Sequence, residues 1–233
     1  MPLVLRKFAL SGLLLFAASA AALWTIAARA NLLLDGSFET PVVPVGGFTN
    51  FTGAVPVGDW TGGAGGQVSI VSGTFTQGGL NFVAQDGVQW LDLTGFNANS
   101  PNDSVSQTVA TTVGQTYTLS YFVGNVVNPG GIFGTSSSVN VFINGVFAQT
   151  STNSGGAGTN TLNWEQFDLT FTAGSASTTI AFFNEDPPGD NSNGLDNVSL
   201  VAVPSTSVPE PSLLALLGIA LAAIGLGRRP NPV

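Results

Sequence analysis

Thr116-Tyr117-Thr118-Leu119-Ser120-Tyr121-Phe122-Val123 decides the fold class of this chain. Tyr117, Leu119, Tyr121 and Val123 share one parity, and Thr116, Thr118, Ser120 and Phe122 the other. Such period-two alternation predicts a half-buried strand, because a helix would repeat its apolar residues every three or four positions. Val139, Val141 and Ile143 alternate with Ser138, Asn140 and Phe142 in the same way, and Asn144-Gly145 leads on to Val146. Both central positions of a type I′ turn need positive φ, so this pair predicts a tight hairpin.

Further strands are expected over 32–40, 68–71, 89–93, 104–109, 164–172, 178–184 and 195–203, with Gly-rich loops at 61–66, 129–138 and 153–161. Roughly ten short strands within 31–203 predict one all-β domain, a two-sheet β-sandwich. Its outward positions carry Thr, Ser, Asn and Gln in place of Lys and Glu.

The chain has 233 residues, 13 acidic and 5 basic side chains, a net charge of −8, no histidine and no cysteine. That excludes an imidazole base, a thiolate nucleophile, a disulfide framework and zinc sites built on nitrogen and sulfur. All five cations (Arg6, Lys7, Arg29, Arg228 and Arg229) lie at the two ends. A body without Lys or Arg repels phosphate backbones, so nucleic acid is not an expected partner. Its buried carboxylates must be neutralised by protons, by N–H donors or by a bound cation.

Residues 1–30 have the pattern of a signal peptide: Arg6 and Lys7, an uncharged run from Phe8 to Ala28, then Ala28-Arg29-Ala30. An uncleaved anchor is the alternative. At the other end a linker over 204–211 contains Pro209-Glu210-Pro211, and an uncharged run from Ser212 to Gly227 meets Arg228-Arg229. At about 1.5 Å per residue that run covers roughly 24 Å as a short transmembrane helix. Cations before the first run and after the second both stay cytoplasmic by the positive-inside rule, so the body lies outside.

This end resembles the PEP-CTERM sorting signal of Gram-negative bacteria, which exosortase processes. The resemblance implies export through the inner membrane, contact with the membrane on the way, recognition at Pro209, Glu210 and Pro211, and delivery to the cell surface or extracellular matrix. An ordinary tail anchor behind a Pro-rich linker is the alternative.

The body carries a second resemblance. Asn31-Leu32-Leu33-Leu34-Asp35-Gly36-Ser37-Phe38-Glu39 and Asn193-Gly194-Leu195-Asp196-Asn197-Val198-Ser199-Leu200 are similar to the first and last strands of galactose-binding-like jelly rolls, the fold of many carbohydrate-binding modules. Trp90 to Gly95, Val105 to Val109 and Gly114 to Ser120 fit that pattern in order. The resemblance implies a structural calcium held by Glu39 and Asp196 with a carbonyl near Ser37. Calcium takes about six to eight oxygens, and no chain cation competes for them. A hydrogen-bonded pair of strand-end carboxylates is the alternative. The oxygen-rich segment 184–193 offers either further ligands or a solvated Asp/Asn turn.

A sugar site needs an aromatic platform beside polar groups. Trp60, preceded by Asp59, is the candidate, with Phe96 and Phe133 as loop aromatics, whereas Trp90 and Trp164 lie in apolar-patterned strands and are expected in the core. Catalysis would have to rest on carboxylates alone, and Glu165 beside Trp164 has no recognisable partner. Three roles therefore stand: a polysaccharide-binding surface or biofilm-matrix protein, a structural matrix protein without a specific ligand, and a carboxylate-based glycoside hydrolase.

Overall fold

The computed structural model describes residues 30–96, 99–128, 131–187 and 192–204. The expected signal segment, the Pro209-Glu210-Pro211 motif and the apolar run ending in Arg228 and Arg229 lie outside the described residues. The strands are β1 (Phe48–Thr52), β2 (Pro56–Val57), β3 (Trp60–Gly62), β4 (Gln67–Ser72), β5 (Thr76–Gln77), β6 (Leu80–Asn81) and β7 (Gln89–Asp92). They continue as β8 (Ser104–Ala110), β9 (Thr116–Asn125), β10 (Ser137–Ile143), β11 (Val146–Asn153), β12 (Asn163–Thr172), β13 (Ser177–Asn184) and β14 (Gly194–Ala202). Among the described residues there is no helix.

Two six-stranded sheets form a sandwich, one in the order β1-β4-β7-β14-β9-β12 and the other β11-β10-β13-β8-β3-β2. Tyr117, Leu119, Tyr121 and Val123 of β9 turn inward against Val139, Val141, Ile180 and Phe182 of the facing sheet. Alternation thus delivers one side of each strand to a shared apolar core. The Tyr121 hydroxyl is satisfied there by Ser151 Oγ at 2.7 Å. The β10–β11 hairpin turns at Asn144 (φ 52) and Gly145 (φ 76), the positive pair that the sequence required.

Residues 32–40 depart from the expected first strand. Asp35 (φ 48) and Phe38 (φ 53) adopt left-handed backbone, which interrupts an extended ladder. The segment still follows β14, through two separate backbone bonds, Leu32 N to Leu200 O and Val198 N to Gly36 O, both 2.9 Å, and through the Asn31 side chain. Asn31 Oδ1 accepts from Leu200 N at 2.8 Å and from Leu33 N at 3.1 Å, and Asn31 Nδ2 donates to Val198 O at 3.1 Å.

A second apolar cluster lies on the outer face of the first sheet. Val71 of β4 and Trp90 of β7 pack there with Leu80, Phe82, Phe133 and Leu162, while Leu91, the neighbour of Trp90, points into the sandwich core. The β5–β6 hairpin contributes the cover.

Candidate functional site

Cross-strand register builds a cleft on this outer face. Asn50, Ser69, Asp92, Gly194, Gly124 and Trp164 form one continuous row across β1, β4, β7, β14, β9 and β12. Two residues along, Phe48, Val71 and Trp90 form a parallel apolar row. Polar and aromatic groups therefore lie side by side on one floor, since residues i and i+2 of a strand share a face.

The walls come from connections. Phe75 and Phe82 flank the β5–β6 hairpin, Phe96 follows β7, and Ile132 and Phe133 precede β10. Phe96 stacks on Phe48 with centroids 5.7 Å apart, and Phe82 stacks on Trp90 at 6.2 Å with 10° between the rings. Phe96 stays 53% exposed and Ile132 49%, so the rim is open to solvent and apolar. The two indoles fix the hairpin's return: Trp90 Nε1 donates to Phe82 O at 3.1 Å and Trp164 Nε1 to Val83 O at 2.9 Å. The cleft encloses about 120 Å³.

Ser69, Gln77 and Asp92 supply its polar side. Ser69 Oγ donates to Asn50 Oδ1 at 2.6 Å. Asp92 Oδ1 accepts from Thr94 Oγ1 at 2.8 Å, Thr94 N at 3.0 Å and Asn193 N at 3.2 Å, and Oδ2 takes part in none of these bonds. Burial pushes the Asp92 pKa up to about 7, only partly opposed by the Thr94 and Asn193 hydrogen bonds and reinforced by the charge of Asp103. The site thus offers a ring-binding surface beside one carboxyl whose pKa burial lifts toward neutrality.

Phe96 and Phe133 are brought together at the cleft, as loop aromatics can be, and Trp90 is buried beneath it. Trp60 is not a platform. It is 1% exposed, lies 5.5 Å from the Phe38 ring and 6.0 Å from the Phe182 ring, and donates through Nε1 to Asp35 O at 3.0 Å. Short strands β2 and β3 carry it inward. Asp59 is exposed and does not line the cleft; its carbonyl accepts from Gln107 Nε2 at 3.1 Å. Glu165 is exposed on β12, an edge strand.

Glu39, Asp196 and Ser37 gather around the segment 85–89. Asp196, fully buried, accepts from Gln85 N (2.8 Å) and Asp86 N (3.0 Å) at Oδ2 and from Asn197 N (2.7 Å) at Oδ1. Glu39 Oε1 accepts from Val88 N at 2.7 Å and Gln89 N at 2.9 Å, and Ser37 Oγ donates to Asp86 Oδ2 at 2.6 Å. Burial raises the Asp196 pKa to about 7 despite its three N–H donors. Among the described residues no group of three or more acidic side chains is placed to hold a metal ion. These N–H donors occupy Glu39 Oε1 and both Asp196 oxygens, the arrangement of hydrogen-bonded strand-end carboxylates, while Glu39 Oε2 takes part in neither of the Glu39 bonds. Of the segment 184–193, Asn184 Oδ1 accepts from Asn193 Nδ2 at 2.8 Å and from Asp186 N at 3.2 Å, which are turn-like internal contacts.

A family model described as a protein of unknown function, DUF642, matches residues 31–200. The chain belongs to the DUF642 family. The PEP-CTERM protein-sorting motif matches residues 207–229 and marks this DUF642 protein for export to the bacterial surface or beyond. No curated protein matches the chain. Its fold is similar to that of a cyclase from Fischerella sp. TAU, at 16% identity and a TM-score of 0.55, over 77% of this chain and 100% of that one. A structure described as CBM4 aligns at 14% identity and a TM-score of 0.38, over 73% and 99% of the two chains. A family 35 carbohydrate-binding module from an environmental isolate aligns at 18% and 0.31, over 44% and 69%. At these identities the likeness is one of fold.

Proposed function

We propose that this DUF642 protein is carried across the inner membrane of a Gram-negative bacterium, processed by exosortase, and acts at the surface or in the biofilm matrix as a non-enzymatic binder of polysaccharide. The cleft carries this reading. A pyranose presents a C–H face that packs on aromatic rings and hydroxyls that need polar partners, and the rows Phe48-Val71-Trp90 and Asn50-Ser69-Asp92 place both kinds of group on one floor. Asp92 is the lone carboxylate among the residues lining the cleft. Glycoside hydrolysis by the usual route needs a pair flanking the bond, so the lining supports binding over cleavage.

A glycan array probed with the full chain in mild detergent tests this reading, with Phe96→Ala as the control. Binding to at least one polysaccharide class, lost in Phe96→Ala, is expected. A clean negative across the array would leave the structural matrix role in its place.

A further inference from the structure

The geometry points to a narrower ligand: we infer that the cleft is a pocket for one uncharged sugar ring, the end unit of a glycan, with Asp92 as the group that reads its hydroxyls. This rests on the polysaccharide-binding reading above.

Size is the first ground. Sites for drug-sized ligands occupy about 300–1,000 Å³, whereas an apolar cavity of about 150 Å³ holds a single benzene ring. At about 120 Å³ with an open rim, the cleft has room for no more than one six-membered ring, whose outer edge and the next unit stay in solvent.

Register is the second. A glycan chain lying along the polar row would pass from Ser69 and Asp92 onto Gly194 and Gly124. That part of the row is covered: a Cβ on either glycine would stand within 3 Å of the Trp164 indole, which occupies the space above them. The hairpin carrying Phe75 and Gln77 closes another side. The floor is therefore a recess, not a trough.

Charge is the third. No Lys or Arg occurs between Arg29 and Arg228, while all 13 carboxylates lie in that interval. An anionic sugar would lose its hydration in the cleft with no cation to pair with, and would meet Asp92. Asp92 Oδ1 is held by Thr94 and Asn193, which leaves Oδ2 as the atom available to a sugar hydroxyl. Asp92→Asn keeps an oxygen for those three donors and replaces the Oδ2 acceptor with an amide donor.

Titration calorimetry on the full chain in mild detergent at about pH 8 tests the inference. The probes are methyl glucoside, methyl galactoside, methyl glucuronide and linear neutral tri- and hexasaccharides. At least one neutral methyl glycoside is expected to bind, with the matching tri- and hexasaccharide within about threefold of it and the glucuronide at least tenfold weaker. Asp92→Asn and the rim variant Phe96→Ala are each expected to weaken neutral-sugar binding about tenfold, and Phe96→Ala, being exposed, keeps the test open if Asp92→Asn folds poorly. Affinity rising tenfold or more from monosaccharide to hexasaccharide overturns the single-ring pocket while polysaccharide binding stands. Glucuronide binding as tight as the neutral sugars overturns the charge selection. No binding by any saccharide overturns both the pocket and the reading beneath it.

Discussion

Gly124 and Trp164 face each other across β9 and β12, and a Cβ on the glycine would lie 2.8 Å from the indole ring. Alanine ordinarily favours a strand interior over glycine by roughly 0.5–1 kcal/mol. Here overpacking against a ring anchored to Val83 O should outweigh that gain. Gly124→Ala is expected to lose about 1–3 kcal/mol in urea unfolding. A neutral or stabilising result would show that the indole gives way freely.

Trp60 sets apart core from binding surface. Trp60→Ala removes a ring packed between Phe38 and Phe182 and leaves Asp35 O without its donor. A loss of about 3–5 kcal/mol is expected. Trp60→Phe, which keeps an aromatic ring but drops the N–H, should cost less, about 1–3 kcal/mol. Equal stability of all three proteins in urea would remove Trp60 from the core.

Asp92 and Asp196 fix the direction of the pH dependence. Burial raises both to about 7, so the folded protein holds protons that the unfolded chain releases near pH 4. Stability is therefore greatest below about pH 4 as far as these groups are concerned, falls as pH rises toward 7, and levels off above it. Asp35 and Asp103 shift in the same direction, also through burial. Melting temperature should be higher at pH 5 than at pH 8, with a smaller difference in Asp92→Asn. A rise in melting temperature over that interval would contradict the burial of these carboxyls.

Metal removal separates amide donors from calcium at Glu39 and Asp196. Five backbone N–H groups already reach these two carboxylates. Melting in EDTA and in millimolar calcium is expected to give the same temperature. A drop of several degrees on chelation would assign Glu39, Asp196 and the Ser37 carbonyl as calcium ligands.

Arg228 and Arg229 close the sorting motif matched over 207–229. Replacing both with Gln removes the cations that, in the proposed topology, stay on the cytoplasmic side and orient the last apolar run. Accumulation of unprocessed, membrane-held protein is expected on immunoblots of cell fractions. Unchanged maturation would detach the arginines from sorting.

Strands β8, β9, β10 and β13 were largely legible because they alternate, and β11 followed from the turn at Asn144-Gly145. Residues 32–40 were not, since their course depends on positive φ at Asp35 and Phe38, where the side chain gives no warning, and on hydrogen bonds from Asn31 to a strand far along the chain. Trp60 looked exposed beside Asp59 in Gly-rich sequence, but two very short strands turn it inward. The cleft depends on pairing among β1, β4 and β7, which no local pattern encodes. One signal was available: Trp90 and Asp92 share a parity opposite Leu91 and Leu93, which places a carboxylate on an otherwise aromatic face.

The last strand, β14, lies in the middle of its sheet, between β7 and β9, and is pinned by Asn31, up to 169 residues earlier. A nascent chain lacking β14 holds two halves of a sheet with no seam, and closing so distant a contact is slow. The first sheet can therefore be joined only once residues 194–202 have emerged, which keeps this half of the sandwich open for most of synthesis.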